Sequence, residues 1–215
     1  MYATHPDLAR LDAAAPSPVA RALAVAADPA LVVLGTYAAT GLRSENPRKA
    51  LGWSAVAVLL VAGVPYAIVA QLVRTGHLHD MHVVVREQRL MPLAITTTGA
   101  AVAMGALKAG DAPRHVSVLT TSLLAGVAVM AGISTRHKTS FHVAASTWSS
   151  AVLAAQIGTP TAAVTGPAAV AVAWSRHRGG RHSLGQVLSG GVIGGLLGAG
   201  TVWALRRPTR TVTGL

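Results

Sequence analysis

Apolar residues run along this chain in long blocks separated by short polar connectors. The stretch from Met1 to about Pro18 is polar and reads as a frayed tail. Val19–Leu42 is apolar but interrupted by Asp28-Pro29. Proline suits the first turn of a helix, so a short membrane segment is expected to start at that point. Leu51–Val73 is the clearest span, because about 23 residues rising 1.5 Å each give roughly 34 Å, enough for a bilayer with slight tilt. Leu90–Leu107 and Val116–Ser134 follow, each closed by polar residues. Ser140–Ile157 and Pro160–Trp174 are shorter runs joined by a tight Gly158-Thr159-Pro160 turn, and Leu184–Leu205 ends in Arg206-Arg207-Pro208. The pattern predicts an all-α, polytopic transmembrane helical bundle of about six to seven helices. Residues 1–27 form a tail and interfacial segment in this reading, 28–206 the membrane domain, and 207–215 a C-terminal tail. No internal repeat is visible.

Within the last run Gly190, Gly194 and Gly198 are spaced by four, as are Gly191 and Gly195. Small residues at this spacing let helix backbones approach closely in lipid, so the stripe is expected to be a packing face, within the chain or in a homo- or hetero-oligomer. Trp53, Trp148, Trp174 and Trp203 are expected at interfaces or in packing.

Composition supports the lipid setting. Of 215 residues, 52% are hydrophobic and 12% charged, with mean hydropathy +0.50, against about 25% charged in ordinary soluble domains. Too few polar side chains exist to cover a water-facing surface. No charged leader with a small-residue cleavage site precedes the first apolar run, so no removable signal peptide is expected. The chain has no cysteine, which removes disulfides and thiolate chemistry. The formal charge of +11 sits in scattered connectors with one Phe and three Tyr. That pattern suits anionic lipid head groups, topology or an anionic substrate, and no nucleic-acid partner is expected. The seven acidic residues (Asp7, Asp12, Asp28, Glu45, Asp80, Glu87 and Asp111) include no clustered carboxylate pair of the kind a magnesium–diphosphate site needs. Prenyltransferase-like chemistry is therefore not expected.

If all the segments span, connectors alternate between two faces. One carries the N-terminus and the loops around 74–89, 135–143 and 175–183; the other carries those around 43–50, 108–115 and 158–160 and the C-terminus. Nearly all the unusual polar residues fall on the first face. They comprise Gly76-His77-Leu78-His79-Asp80-Met81-His82 running on to Arg86-Glu87-Gln88-Arg89, then Arg136-His137-Lys138-Thr139-Ser140-Phe141-His142, then Ser175-Arg176-His177-Arg178-Gly179-Gly180-Arg181-His182. Phosphoryl groups need fixed donors on their equatorial oxygens, which Arg supplies with a planar fork. Histidine can serve as nucleophile or general acid near neutral pH. Ser140 and His142 open a helix, whose first amides add donors. This chemistry requires neither a metal nor another cofactor. His77, His79 and His82 with Asp80 could alternatively ligate a divalent ion, although no acidic partner cluster follows.

Ser175-Arg176-x5-His182-x3-Gln186-Val187 resembles the third signature of the type 2 phosphatidic acid phosphatase superfamily, Ser-Arg-x5-His-x3-Asp-Val. Lys138-Thr139-Ser140-Phe141-His142 resembles the second, Pro-Ser-Gly-His, and His82-x6-Arg89, with Pro92 late, is similar to the first, Lys-x6-Arg-Pro. The order agrees and the resemblance covers about residues 77–205. It implies that His182 attacks phosphorus and forms a phosphohistidine, and that His142 protonates the leaving oxygen and then helps activate water. It further implies that Arg176, Arg89 and Ser140 bind phosphate, with Lys138 alongside and His82 or Arg86 in place of the missing Lys. The family's Asp, four residues after the nucleophile, fixes the imidazole tautomer; Gln186 stands there, and Asp80 or Glu87 could substitute.

The resemblance implies a metal-independent lipid phosphatase acting on a lipid or isoprenoid phosphate or diphosphate in the cell membrane. A non-catalytic lipid-phosphate binder or assembly subunit of the same fold is the alternative, and a small transporter or channel is a third. The third is weakened by the lack of charges within the helices. The first face carries about ten Lys/Arg against eight on the other. Setting aside Arg86, Arg89, Lys138 and Arg176 as phosphate ligands leaves the excess on the other face, so the site is expected to be extracytoplasmic.

Overall fold

The computed structural model describes residues 17–78, 88, 90–134 and 136–208. Among them there are helices and turns and no strand. Helices α1 (Pro18–Ala26) and α2 (Pro29–Leu42) are followed by α3 (Pro47–Arg74), α4 (Leu90–Ala109), α5 (Arg114–Ser134) and α6 (Phe141–Ile157). A 3₁₀ turn at Thr159–Thr161 leads into α7 (Ala162–Arg178), and α8 (Leu184–Arg206) completes the set. Eight helices thus replace the expected six to seven. The difference arises at Asp28-Pro29: Val19–Leu42 is two helices bent by 47°, since Pro29 takes a first-turn position and the Asp28 carboxylate accepts the Ala30 N–H at 2.9 Å. The same Ser/Asn-then-Pro device starts α1 at Ser17-Pro18 and α3 at Asn46-Pro47.

Four helices, α3, α4, α5 and α8, are long and apolar enough to cross a membrane, and the bent α1–α2 pair would make a fifth. Helices α6 and α7 have 17 residues each. Large apolar side chains such as Leu59, Val102, Val129, Val164, Leu188, Val192 and Leu196 face outward, a surface that suits hydrocarbon rather than water.

Helix α6 is the hub. It packs on α8, α7 and α2, and Trp148 and Val152 join Val33, Tyr37, Ala57, Leu107, Val116 and Leu119 in the main core. Hydroxyls stitch this core across helices. Thr36 meets Ser149 at 2.7 Å, Tyr37 meets Thr120 at 2.8 Å, and the Trp148 indole N–H reaches both Ser122 and Thr201 at 3.1 Å. Such bonds suit an interior where water cannot compete.

The glycine stripe of α8 is what lets α6 sit so close. A Cβ on Gly190 would come 2.6 Å from the Ser140 carbonyl oxygen, and one on Gly198 would come 2.7 Å from Ala151 Cβ. A Cβ on Gly194 would land on the Ala144 carbonyl and Thr147 Oγ1. The Gly190, Gly194 and Gly198 row of the stripe is therefore an intramolecular seam. Helix α3 has a second irregularity, a π segment at Leu59–Gly63 in which the Val64 N–H reaches back to the Leu59 carbonyl. Pro65 follows directly and cannot donate to Val61, and a wider turn ahead of it accommodates the ring. Gly99 of α4 lies so near that an added Cβ would strike the Leu60 carbonyl.

The connectors gather at two ends. At one, Lys49 pairs with Asp111 at 3.3 Å and the Arg114 guanidinium donates to the Leu205 carbonyl at 3.1 Å, joining the α2–α3 and α4–α5 connectors to the end of α8. At the other lie the α1–α2 break, the α5–α6 connector and the α7–α8 connector, which together form the site.

Candidate functional site

The α7–α8 connector is shaped by its glycines. Gly180 takes φ 66°, a left-handed conformation that a side chain would disfavour. The chain then doubles back, and the His182 N–H donates to the Arg176 carbonyl at 3.2 Å. The next residue, Ser183, caps α8 in a reciprocal capping box: its Oγ accepts from the Gln186 N–H at 3.4 Å, and Gln186 Oε1 accepts from the Ser183 N–H at 3.2 Å. His182 is thus held between two fixed turns.

The α5–α6 connector is pinned against this one. The Ser140 N–H donates to the Gln186 carbonyl at 3.2 Å, and Lys138 Nζ donates to the Arg181 carbonyl at 3.0 Å. These bonds bring the second and third polar loops together, as the alternation of connectors predicts. His182, His142, Arg176 and Lys138 all line one cavity of about 380 Å³, together with Thr139, Arg181 and Asp28.

Other expected residues sit differently. Ser140 is fully buried but is not among the residues lining the cavity; its backbone is turned into the α8 seam, and Thr139 lines the wall beside it. Gln186 does not line the cavity either, and its Oε1 serves the capping box. His82, Arg86, Arg89, Asp80 and Glu87, and with them His79 of the His-rich cluster, lie outside the described residues.

Three residues with a place in the site escaped sequence reasoning. Asp28 registers in the sequence only as a helix break, yet its carboxylate favours the charged form of Arg176. Arg181 and Thr139 stand one residue from the motif positions His182 and Ser140. The spacing Ser183-x-x-Gln186 was itself a readable capping-box signal.

Charge and burial combine unusually at this site. Arg176 is 6% exposed and its Nε has no hydrogen-bond partner among the described residues; the same holds for Thr139 Oγ1 and His182 Nδ1. Buried donors without partners are rare, and their grouping beside a cavity marks a place for an acceptor-rich ligand. Burial pushes the His182 imidazole down to about 3, and the positive charges of Lys138, Arg176 and His142 act in the same direction, with the Gln186 side chain opposing them in part. His182 is therefore neutral at ordinary pH, the form in which a ring nitrogen is nucleophilic.

The sign of this shift gives a prediction. The unfolded chain takes a proton at this position near pH 6.5, whereas the folded one does so only near 3. The stabilising contribution of the neutral ring is fully present above about 6.5 and is lost as pH falls toward 3. A ¹⁵N-histidine NMR titration in detergent should find His182 neutral down to at least about pH 5. A midpoint near 6.5 would show that the ring is hydrated and far from its cationic neighbours.

Comparison with known proteins returned no match, whether to family models, to curated protein sequences or to solved structures.

Proposed function

We propose that the chain is an integral membrane phosphohydrolase that removes phosphate from a lipid or isoprenoid (di)phosphate through a phosphohistidine. The observation that carries this reading is the polarity of the cavity. At one end stand His182, His142, Arg176, Lys138 and Arg181; apart from Asp28 and the hydroxyl residues Thr96, Ser122, Ser134 and Thr139, the remaining walls are apolar residues of α2–α6 and α8. That is the complement of an amphiphile with an anionic head. The signature-like order of Ser175-Arg176, His182 and His142 supports the same chemistry.

A neutral ring nitrogen of His182 attacks phosphorus as the bond to the lipid oxygen breaks, and protonated His142 gives its proton to that oxygen. Water, with His142 now accepting a proton, cleaves the phosphorus–nitrogen bond and releases inorganic phosphate. Arg176, Arg181 and Lys138 hold the equatorial oxygens, where fixed cations in a poorly hydrated pocket stabilise the spreading charge. In this reading the protein lies in the plasma membrane with the site on the extracytoplasmic face.

The test is phosphate release from a panel of lipid phosphates in detergent. Turnover should survive EDTA and be abolished by vanadate, which mimics the five-coordinate phosphorus. A requirement for a divalent ion would overturn the mechanism. One observation favours a second reading, a lipid-phosphate binder without turnover: the motif Asp position holds Gln186, a neutral side chain that also caps α8 and cannot stabilise an imidazolium by charge. Tight binding of lipid phosphates with no release would select that reading.

A further inference from the structure

We propose that the apolar part of the cavity is a tail site that selects single-chain amphiphilic phosphates by length, with the Trp148 indole as its floor. This deepens the reading above, and it rests on that reading for the head group alone.

The cavity has depth. Along α5 its lining runs from Ser134 at the cationic end to Ser122, a separation of about 18 Å at 1.5 Å per residue. Its floor is fixed. Trp148 is 3% exposed, its N–H is held by Ser122 and Thr201 at 3.1 Å, and Thr201 donates to Ser122 at 2.6 Å. Behind the indole lie the fully buried Val116 and Leu119 of the core. A tail that reaches Trp148 can go no further without breaking those bonds.

The cavity also has a side entrance. The first half of α3 packs mainly on α2 and more lightly on α4 and α5, whereas the half beyond the π segment packs mainly on α4. Helices α2 and α3 therefore part toward the cationic end. Tyr66, 55% exposed, lines the cavity there opposite Pro29 and Val33. A lipid tail can enter sideways while its head stays at the polar face.

Volume then decides how many chains fit. At about 30 Å³ for each water-sized group, 380 Å³ holds about a dozen such groups, of which the phosphate head takes about three and the tail about nine. One chain of about nine carbons fills the part left by the head, and the paired long acyl chains of a membrane glycerolipid do not fit. The selected class is a single alkyl or prenyl chain on a phosphate.

The experiment uses the full chain with Trp53, Trp174 and Trp203 changed to Phe, so that Trp148 is the sole indole. It is titrated in detergent with alkyl monophosphates bearing a terminal bromine, a contact quencher of tryptophan. Quenching should rise with chain length, peak at about nine carbons and fall by more than half for chains about six carbons longer. Ala145→Leu, which narrows the cavity partway down, should move the peak to shorter chains. Quenching that is independent of length, or an unmoved peak in the Ala145→Leu protein, would overturn the tail site. The readout is binding, so a catalytically silent protein answers it equally well. A length peak that persists with bromoalcohols supports the tail site while removing the phosphate reading, which separates the two failures.

Discussion

Replacing His182 with alanine should reduce phosphate release by at least about 10³-fold, to the background set by the remaining cations. Removing a covalent nucleophile leaves only binding and charge stabilisation, and losses of that order or larger are typical. The fold should be unaffected. His182 contributes its backbone, not its ring, to the turn: the N–H bonds Arg176 and the carbonyl accepts from His177 Nδ1 at 3.3 Å. Its Nδ1 has no hydrogen bond to lose among the described residues, its side-chain partner Gln186 keeps the capping-box bonds, and deleting the ring removes a group crowded by positive charge. The melting temperature of His182→Ala should therefore match the parent. Lipid phosphate should still bind, because Arg176, Arg181 and Lys138 remain. Alkaline detergent quenching of the parent during turnover of a ³²P-labelled substrate should trap label in a base-stable linkage that acid releases and that the variant cannot form. A variant retaining a tenth of parental activity would show that another group attacks phosphorus, and the assignment of His182 would fall.

The legible part of this site was its sidedness. Runs of apolar residues alternate with connectors, so connectors of like parity meet, and Lys138, His142, Arg176 and His182 do line one cavity. What the sequence could not convey was phase. Ser140 and His142 are two residues apart at a helix start, and whichever faces the cavity depends on how α6 seats on α8. Gly190 settles it by drawing the Ser140 carbonyl into the seam, which leaves Thr139 and His142 as lining residues. Trp148 shows the same limit. Its small hydroxyl neighbours, Ser146, Thr147, Ser149 and Ser150, suit an interface or a core equally, and only three-dimensional packing makes it the end of a cavity. The π segment at Leu59–Gly63 depends on Pro65 and on Gly99 from another helix, a long-range pairing that no local pattern encodes.

The seam supplies the second large effect. Gly194→Ala should strongly destabilise the protein, whereas Gly195→Ala, one residue along, should be neutral or stabilising. Helix propensity alone favours alanine at both by about 1 kcal/mol. At Gly195 nothing lies within 4 Å of the new methyl group, so that preference should be expressed. At Gly194 the methyl group collides with the Ala144 carbonyl and Thr147 Oγ1. The first is helix backbone and cannot rotate away, and the Thr147 hydroxyl already donates to the Val143 carbonyl at 2.9 Å. Relief requires α8 to move off α6, at a cost of about 3 kcal/mol or more, the upper end of ordinary overpacking. That movement has a chemical consequence. The Ser140–Gln186 backbone bond joins the same two helices nearer the site, about one turn away along α6 and two along α8, so their separation pulls His142 from His182. Thermal melts in detergent should show Gly194→Ala several degrees below the parent and Gly195→Ala at or above it. Phosphate release per folded molecule should fall for Gly194→Ala alone. Equal melting temperatures for the two variants would mean that α6 and α8 are not in backbone contact. The small-residue stripe would then have to serve some other surface, such as a second copy of the chain.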